Sequence, residues 1–341
     1  MKNLRLFDKV LFLINALLAL ALLSSYLIPF VPPQKFPLLS VLSLGVPVLI
    51  LSNFIFLIYW ILRLKKQVLL PLLVLIIGYN YVFSWIAVNF EQPEVKKNSL
   101  KLMSYNVRMF NSYKWTSQKD IPQKISSLVA EKDPDVLATQ EHSVGESKLA
   151  DMFPYRHIVL KEKASEFGSA LFSKYPIIHK GSVDFPQDGN NNAIWIDIVK
   201  QKDTLRVFNV HFQSLRIKAG IDELRKEDSK KLVGRIGYGF QLQQSQAEML
   251  VKELEKSPYK TILLGDFNNT AFSYIYKLVK GDRFNDAFLT VGNGFGQTFN
   301  LNYFPLRIDF MLIDKSIKID DFKVFRVNYS DHFPIFGRIE W

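Results

Sequence analysis

The sequence contains no cysteine among its 341 residues. This absence excludes disulfide bonds, metal sites built from thiolates and catalysis by a cysteine nucleophile. It leaves the compartment open, because reducing and oxidising compartments both accommodate chains without cysteine. Histidine is also scarce, at five residues. A histidine that falls among acidic residues at the end of an apolar segment is therefore a notable candidate for catalysis.

Acidic residues are fewer than basic ones, at 32 against 43, which gives a net charge of +11 and a pI of about 9.5. This balance favours anionic partners such as nucleic acid, anionic lipid or phosphorylated metabolites. A generally basic surface, with lysines flanking membrane segments, explains the charge equally well. The sequence has no internal repeat and no low-complexity tract.

Charged residues are absent from three long apolar runs near the N-terminus, at residues 10–30, 38–62 and 68–90. Each run has the roughly 20 residues that a helix needs to cross the hydrocarbon core of a bilayer. None has the polar face that a soluble core helix presents at helical spacing. We therefore predict three transmembrane helices and a membrane anchor over residues 1–90. The aromatic residues of the third run are either interfacial anchors or packing residues: Tyr79, Tyr81 and Trp85.

A cleaved signal peptide is the rival interpretation of the first run, because basic residues precede it and Ala19-Leu20-Ala21 resembles a cleavage site. The two later runs keep the chain in the membrane in either case. The distribution of basic residues predicts the orientation. They concentrate before the first run and between the second and third, at Lys2, Arg5, Lys9, Arg63, Lys65 and Lys66.

The loop between the first two runs contains only Lys35. The N-terminus and the second loop are therefore expected in the cytoplasm, although Lys96, Lys97 and Lys101 follow the third run closely. Three spans then place the C-terminal domain outside the cytoplasm. We predict an integral protein of the inner (cytoplasmic) membrane whose large domain is periplasmic in a bacterium with two membranes.

Residues 91–99 are polar, include a proline and lack periodicity, which predicts a linker. The remaining residues, 100–341, form one predicted soluble domain. Short apolar segments alternate irregularly with amphipathic helices such as 121–131 and 241–254. This mixture favours an α+β fold built as a layered sandwich over a barrel of eight βα repeats.

Polar residues end several of these apolar segments. The motifs are Ser104-Tyr105-Asn106, Gln140-Glu141, Asn209-Val210-His211, Gly265-Asp266-Phe267-Asn268, Arg307-Ile308-Asp309 and Ser330-Asp331-His332. Acids, amides and imidazoles gathered at one rim of a sheet suit a hard divalent cation and a phosphate. Simpler explanations exist for single motifs: Glu141 as a solvated strand end, and residues 265–268 as an Asx turn. Gly265 is expected to allow a tight turn and a close approach to a ligand, and Asp309 to orient the ring of His332.

Together the motifs and their order resemble the endonuclease/exonuclease/phosphatase superfamily over residues 100–341. The resemblance implies the deoxyribonuclease-I-like fold, a four-layered α/β sandwich, and catalysis with Mg²⁺, or possible use of Mn²⁺. It implies metal ligands at Asn106, Glu141 and Asp331. It implies catalytic roles for His211, Asp266, Asn268, Asp309 and His332. It implies substrate contacts from Asn106, Arg108, His211 and Asn268.

Arg108 departs from the pattern of many nuclease members, which carry an acid at that position. This makes a nuclease-type metal site less secure, while the guanidinium suits a phosphate. The segments 168–173 and 297–299 resemble structural strands around the site. The mixed-charge stretch 216–235 is either a solvated helix or a basic flap that meets an anionic substrate or lipid headgroups.

The function that follows from these features is a membrane-anchored, magnesium-dependent phosphohydrolase. It is expected to cleave a phosphodiester or phosphomonoester by in-line attack of water. The substrate, nucleic acid or a phospholipid headgroup, is not selected by the fold. The alternative is a catalytically inactive module that binds a phosphorylated ligand or a protein, which needs few of the motifs. A purely structural membrane role leaves them unexplained.

Overall fold

The computed structural model describes residues 5–89, 99–144, 148–160, 167–185, 191–216, 228–301 and 304–341. The N-terminal region consists of helices, followed by the short strand β1 (Ile86–Ala87). The helices are α1 (Leu6–Ser25), α2 (Pro37–Val41), α3 (Val46–Leu62), α4 (Leu69–Ile77) and α5 (Tyr79–Trp85). Two helical segments, Leu6–Phe30 and Pro37–Leu62, are long and apolar enough to cross a membrane. They correspond to the first two predicted spans.

The third predicted span is broken. Instead of one helix over 68–90, the structure has Lys66–Ile77 and Tyr79–Trp85, bent by 73° with respect to each other. The break is at Gly78, where a side-chain Cβ would lie 2.0 Å from the ring of Tyr26. Glycine therefore lets α1 pack closely at the bend. The pair is either one bent span or a re-entrant segment, and the predicted end at Phe90 lies outside the described residues.

Two of the aromatic residues in this region pack inside the protein. Tyr81 packs against Tyr26 and Phe272, at ring-centroid distances of 4.6 and 6.1 Å. Trp85 packs against Phe295 at 5.1 Å. Tyr79 is 58% exposed. Tyr81 and Trp85 thus join the helices to the C-terminal domain.

The described part of the C-terminal domain contains fifteen strands and five helices. The strands are β2 (Ser99–Asn106), β3 (Val136–Ser143), β4 (Tyr155–Leu160), β5 (Phe167–Ser173), β6 (Ile177–Asp184), β7 (Asn192–Lys200), β8 (Asp203–His211), β9 (Lys260–Asp266), β10 (Phe284–Asp286), β11 (Gly294–Phe295), β12 (Phe299–Leu301), β13 (Phe304–Leu306), β14 (Asp309–Asp314), β15 (Ile319–Val324) and β16 (Ile335–Glu340). The helices are α6 (Ile121–Lys132), α7 (Leu149–Met152), α8 (Ser229–Glu255), α9 (Tyr274–Lys280) and α10 (Ala287–Val291).

Twelve of the strands form two six-stranded sheets. Their orders are β15-β16-β2-β3-β5-β4 and β10-β14-β9-β8-β7-β6. One pair near the middle of each sheet is parallel, β2 with β3 and β8 with β9, and the other pairs are antiparallel. Each parallel pair is the place where two strands end at the same edge.

Alternation along the strands produces the layers. In β7, Ile194 and Ile196 face the core between the sheets, whereas Ala193 and Trp195 face a second core. The first core joins residues of both sheets, such as Leu102 and Ile262. The outer cores include residues of α6 on one side and of α8 and α9 on the other. The predicted α+β fold, a four-layered sandwich of helices, sheet, sheet and helices, is confirmed.

Helix α8 is longer than the predicted segment 241–254. It begins after Asp228, whose carboxylate accepts hydrogen bonds from the backbone N–H groups of Lys230 and Lys231. Of the mixed-charge stretch 216–235, residues 217–227 lie outside the described residues. The part from Ser229 onward is helical, which agrees with the helix interpretation for that part.

The N-terminal region docks on the C-terminal domain. Helix α2 packs on α8, the backbone N–H of Gln34 donates to Gln244 Oε1 at 2.9 Å, and β1 pairs with β11. At the other end of α1, Asp8 pairs with Arg63 at 2.9 Å. The segment between α1 and α3 therefore lies at the same end of the helical region as the C-terminal domain. The start of α1 and the end of α3 lie together at the opposite end.

Candidate active site

Strand register brings the polar motifs to one rim. His211 is the register partner of Asp266, and Asp266 is the partner of Asp309, across β8, β9 and β14. In the other sheet, Asn106 is the partner of Gln140. The parallel strands end at this rim, and the antiparallel strand β14 begins there. Residues far apart in sequence thus meet outside the carboxyl ends of the strands, a common location for binding sites in such sheets.

A histidine–carboxylate pair forms the centre of the rim. Nδ1 of His332 lies 2.9 Å from Asp309 Oδ2, and its Nε2 lies 3.6 Å from Asp266 Oδ2. All three side chains are buried. Burial by itself lowers the pKa of His332, but the charges of Asp309 and Asp266 more than offset this and raise the pKa well above its ordinary value. His332 is therefore held as a charged donor between two acids.

Thr298 holds Asp309 in place. Its buried hydroxyl accepts hydrogen bonds from the backbone N–H groups of Ile308 and Asp309, each at 3.0 Å. The sequence pattern at 297–299 predicted only a structural strand around the site. The segment Gln297-Thr298-Phe299 has no strong signal of its own, because the role of Thr298 depends on a segment that approaches from elsewhere in the fold.

Asp266 sits in an Asx turn. Its Oδ1 accepts a hydrogen bond from the backbone N–H of Asn268 at 2.7 Å, and Asn268 has a left-handed φ of 49°. Its Oδ2 accepts from Asn106 Nδ2 at 3.0 Å and from Asn268 Nδ2 at 3.2 Å. Burial raises the pKa of Asp266 to about 7, although the charge on His332 lowers it. A carboxylate with such a pKa suits proton transfer near neutral pH.

The role expected of Gly265 was wrong. The residue belongs to strand β9 with φ of +143°, and a Cβ there would lie 2.0 Å from the carbonyl oxygen of Val210. Glycine is required because strand β8 approaches at this point, and the close approach is to backbone. The turn itself falls at Asn268.

Glu141 projects from a distortion in β3. Its φ is +49°, and the register with β5 shifts between Thr139 and His142. Asn106 Nδ2 lies 3.3 Å from Glu141 Oε1. Burial, and then the charge of Asp331, raise the pKa of the Glu141 carboxyl. Desolvated carboxylates that repel each other fit a divalent cation, which takes the place of their protons.

The side-chain amide of Asn106 lies between two carboxylates from different sheets, Glu141 and Asp266. Its NH₂ group faces Glu141 and Asp266, and its Oδ1 accepts from the backbone N–H of Arg108 at 3.1 Å. Oxygen ligation of a metal by Asn106 requires rotation of this amide. In the structure, the side chain of Asn106 acts as a hydrogen-bond donor to two carboxylates.

Arg108 occupies a strained turn and pairs with Asp331. The backbone from Arg108 to Asn111 is left-handed, with φ between 44° and 68°. The guanidinium lies 3.1 Å from Asp331 Oδ2 and 4.6 Å from the centroid of the Trp115 ring. The structure therefore pairs an expected substrate contact with an expected metal ligand.

A second group of potential metal ligands is Asp266, Asp309 and His332, whose ligand atoms lie within 4.8 Å of one another. Their atoms already bond to each other or to neighbouring amides, so a cation there must displace the His332–Asp309 hydrogen bond. In the part of the chain that the structure describes, the Glu141 carboxylate has a single side-chain hydrogen bond, from Asn106. The Glu141 side of the rim therefore suits a cation better.

One ring nitrogen of His211 faces Asp266. The histidine is 5% exposed, its Nε2 lies 3.9 Å from Asp266 Oδ2, and this atom has no hydrogen-bond partner within the described residues. Burial, and then the charge of His332, lower the pKa of His211 to about 3. The ring is therefore neutral. A buried polar atom without a partner is unusual and suits a ligand oxygen.

Gln140 and Asn209 connect the two sheets beneath the rim. Gln140 Nε2 donates to Asn209 Oδ1 at 2.7 Å, and Asn209 Nδ2 donates to the backbone oxygen of Thr139 at 2.8 Å. Both motifs were noted in the sequence without a role for these two residues. Their contacts fix the distance between the sheet that carries Glu141 and the sheet that carries His211 and Asp266.

A cavity of about 450 Å³ opens at the rim. Its polar lining includes Arg108, Glu141, Asn268, Asp331 and His332. One lining residue, Leu44, comes from the short helix Leu42–Gly45 just before α3. No sequence signal connected this residue with the site.

Comparisons with known proteins agree with this geometry. The family model described as "Endonuclease/Exonuclease/phosphatase family" matches residues 103–332, and a domain of unknown function (DUF8431) matches residues 8–85. No curated protein matches the chain.

Solved structures share the fold of the C-terminal domain. An endonuclease/exonuclease/phosphatase from Bacteroides vulgatus is 16% identical with a TM-score of 0.56, over 72% of this chain and 99% of its own. Bacteroides thetaiotaomicron mannosyl-6-phosphatase Bt3783 is 17% identical with a TM-score of 0.54, over 71% and 100%. D. rerio TDP2 complexed with a single-strand DNA product is 16% identical with a TM-score of 0.53, over 71% and 99%. With the deoxyribonuclease-I-like architecture and the motifs at its rim, the chain belongs to the endonuclease/exonuclease/phosphatase family.

Proposed function

We propose that this protein is a membrane-anchored, divalent-metal-dependent phosphohydrolase. The observation that carries the proposal is the rim itself. A charged histidine paired with Asp309, His332, and a carboxylate with a raised pKa, Glu141, line one cavity. A second carboxylate with a raised pKa lies 3.6 Å from His332, and beside it is a neutral histidine with a ring nitrogen that has no partner within the described residues. A structural strand end requires none of these features, and a perturbed, buried set in a cleft is typical of a catalytic site.

Different residues of this chain have different roles in the proposed hydrolysis. Glu141 is the principal proposed ligand for Mg²⁺ or Mn²⁺, with Asn106 and Asp331 beside it. A bound cation supplies Lewis-acid stabilisation of charge on the phosphoryl group. Asp266 accepts the proton of the attacking water, and Asn268 holds the turn that presents this carboxylate.

Three further side chains stabilise negative charge. His332 donates from Nε2 as an imidazolium that Asp309 orients, and His211 donates from its unpartnered Nε2. Arg108 lies at the same cavity and contributes a guanidinium toward a phosphate. Transition-state charge is thus met by donors from both sheets.

The proposed anchor comprises residues 1–90 and the linker 91–99, before the catalytic domain 100–341. Residues 90–98, and with them nearly all of this linker, lie outside the described residues, and Ser99 is the first residue of β2. The docking of the first loop on the catalytic domain supports an odd number of crossings. With basic residues at the opposite end, this favours a catalytic domain outside the cytoplasm, in the inner membrane of a two-membrane bacterium.

Similarity of fold to known structures does not identify the substrate of this protein. Two of the similar structures are a mannosyl-6-phosphatase and a complex of TDP2 with a single-strand DNA product. Phosphomonoesters and phosphodiesters both remain within the proposal. The alternative function is a binding module. The ion pair between Arg108 and Asp331 favours this alternative, because Asp331 is an expected metal ligand and is already paired with a guanidinium.

Hydrolysis by the full-length protein in detergent tests the proposal. Bis-p-nitrophenyl phosphate and p-nitrophenyl phosphate are assayed with Mg²⁺ and with EDTA, in the original protein and in Glu141→Gln and His332→Ala. We expect turnover that needs the cation and falls at least about 10²-fold in both variants. Glu131→Gln, an exposed acid on α6, is the matched control. A folded protein that binds phosphate without turning over either ester supports the binding module.

A further inference from the structure

The membrane anchor contributes to the mouth of the active-site cavity. Leu44 lines the cavity together with side chains of the catalytic rim. It lies two residues before α3, in the first part of Pro37–Leu62, which is one of the two segments suited to cross a membrane. The cavity therefore opens next to the point where the chain enters that helix.

Contacts hold this segment against the catalytic domain. Val41 and Leu44 pack against the core that contains α8 and α9. Phe272, six residues after Asp266, belongs to the same buried cluster as Ala19 and Val46 of the anchor. Lys277 of α9 lies 3.2 Å from the ring centroid of Phe30. Contacts with the C-terminal domain therefore hold the chain both before Leu44, at Phe30 and Val41, and after it, at Val46.

The remaining wall of the cavity has two kinds of side chain. Cationic residues Arg108 and Arg216 lie among the catalytic acids. The apolar part consists of Met109, Leu215, Phe299, Leu306 and Ile308. A substrate with an anionic phosphate at one end and an apolar body at the other complements such a lining. A polynucleotide instead needs an extended basic track with several stacking aromatics.

Apolar side chains continue outward from Leu44. Phe36, Leu38 and Leu42 are 55%, 61% and 55% exposed. Phe36 directly precedes the segment Pro37–Leu62, and Leu38 and Leu42 lie in its first turns. The only charged residue between Phe30 and Val46 is Lys35. An exposed apolar patch at the end of membrane helices suits the boundary between headgroups and acyl chains. The cavity mouth and this patch are therefore connected by one short segment, residues 36–44.

We infer that the anchor forms one wall of the active-site mouth and that the substrate is a membrane lipid with a phosphate-ester headgroup. The headgroup enters the catalytic rim, and the first part of the lipid chain lies along Leu44. This inference rests on the proposed hydrolase function and narrows its substrate class. Water attacks the phosphorus, the ester oxygen leaves with a proton, and the products are a phosphate or phosphoalcohol and the matching alcohol.

The test compares lipids that share a headgroup and differ in chain length. Full-length protein is assayed with Mg²⁺ on long-chain and on water-soluble dibutyryl forms of phosphatidylglycerol, phosphatidylethanolamine and phosphatidic acid. Bis-p-nitrophenyl phosphate, p-nitrophenyl phosphate and a single-stranded oligonucleotide are assayed beside them. For at least one headgroup we expect kcat/KM about tenfold higher for the long-chain form, because chain contacts contribute to binding.

Variants of Leu44 report whether the anchor wall is responsible. We expect Leu44→Ser to lower the long-chain to short-chain ratio of kcat/KM about fivefold, since it removes apolar contact. Leu44→Met, which keeps that contact, retains the ratio. Leu62→Ser, at the exposed far end of α3, is the control for a polar change in the anchor and leaves the ratio unchanged.

The outcomes separate the two proposals. Turnover of the p-nitrophenyl esters or the oligonucleotide with no preference for long-chain lipid overturns the lipid inference and leaves the hydrolase function standing. An unchanged ratio in Leu44→Ser also overturns the role of the anchor wall. Absence of turnover on every ester rejects the hydrolase function itself.

Discussion

The Nδ1 atom of His332 lies 2.9 Å from the Oδ2 atom of Asp309, and both side chains are buried. The two residues come from segments attached to different sheets, since Asp309 begins β14 and His332 lies in the loop before β16. Their contact therefore links the two sheets at the rim that carries the candidate site. It also fixes which ring nitrogen faces Asp266 and a substrate.

Asp309→Asn is expected to lower kcat by about 10²-fold or more while the protein stays folded. The amide keeps the shape of the side chain but removes the charge that supports the imidazolium. Asp203→Asn, at the exposed start of β8, serves as the matched control. Steady-state hydrolysis of a p-nitrophenyl ester checks this, and an unchanged kcat for Asp309→Asn would contradict the proposed pair.

Thr298→Val is expected to destabilise the protein by about 1–3 kcal/mol, because the backbone N–H groups of Ile308 and Asp309 lose their acceptor in a buried site. Thr298→Ser retains the hydroxyl and is expected to stay close to the original stability. Thermal unfolding of both variants in the same detergent measures the difference. Equal stability of the two would mean that the hydroxyl has no such role.

Two glycines of α8 offer a matched test of anchor docking. A Cβ at Gly237 would lie 3.2 Å from Pro37 of α2, whereas a Cβ at Gly234 meets nothing within 4 Å. Gly237→Leu is expected to displace α2, and Gly234→Leu is expected to leave it in place. Both changes remove a helix glycine, which by itself favours the helix by up to about 1 kcal/mol.

Cross-linking measures this displacement. Because the chain has no cysteine, Gln34→Cys and Ser245→Cys form a unique pair at a contact of 3.1 Å between the original side chains. A short bis-maleimide is expected to join them in the original background and in Gly234→Leu. The yield should fall several-fold in Gly237→Leu, and equal yields would argue against this docking geometry.

The absence of cysteine also permits a direct test of topology. Lys202→Cys lies in an exposed turn of the catalytic domain, and Leu64→Cys replaces a residue that is 91% exposed after α3. In intact cells with a permeabilised outer membrane, an impermeant maleimide is expected to label Lys202→Cys only. Leu64→Cys should react after lysis. The reverse pattern would place the catalytic domain in the cytoplasm.

Local patterns of hydrophobicity determined much of the architecture. The first two membrane-suited helices follow from runs without charge, since burying a charge in an apolar medium is strongly unfavourable. The alternation in β7 and the polar residues that end β8 and β9 identified the layered fold and the rim. Asp266 and Asn268 were selected as candidates because a strand that ends in an acid and an amide has a distinctive local pattern.

Other features depend on neighbours that the local sequence does not name. Helix α8 begins as early as Ser229 because Asp228 caps its N-terminus and because Ile236 and Phe240 are buried in a hydrophobic core. Gly265 serves backbone packing because β8 lies beside it. Gly78 breaks the third apolar run where Tyr26 packs. In each case a contact distant in sequence decides the conformation.

The sequence by itself determined the apolar helices, the alternating strands and the identity of the polar residues at strand ends, because these depend on transfer energies and on local periodicity. Only the tertiary structure decided which of these residues meet. The register of β9 and β14 places Asp266 opposite Asp309. The turn at Arg108 directs its guanidinium to Asp331. Helix α2 packs on α8, and Leu44, three residues after α2, lies at the cavity. Such contacts depend on the packing of whole elements, which no local window of sequence contains.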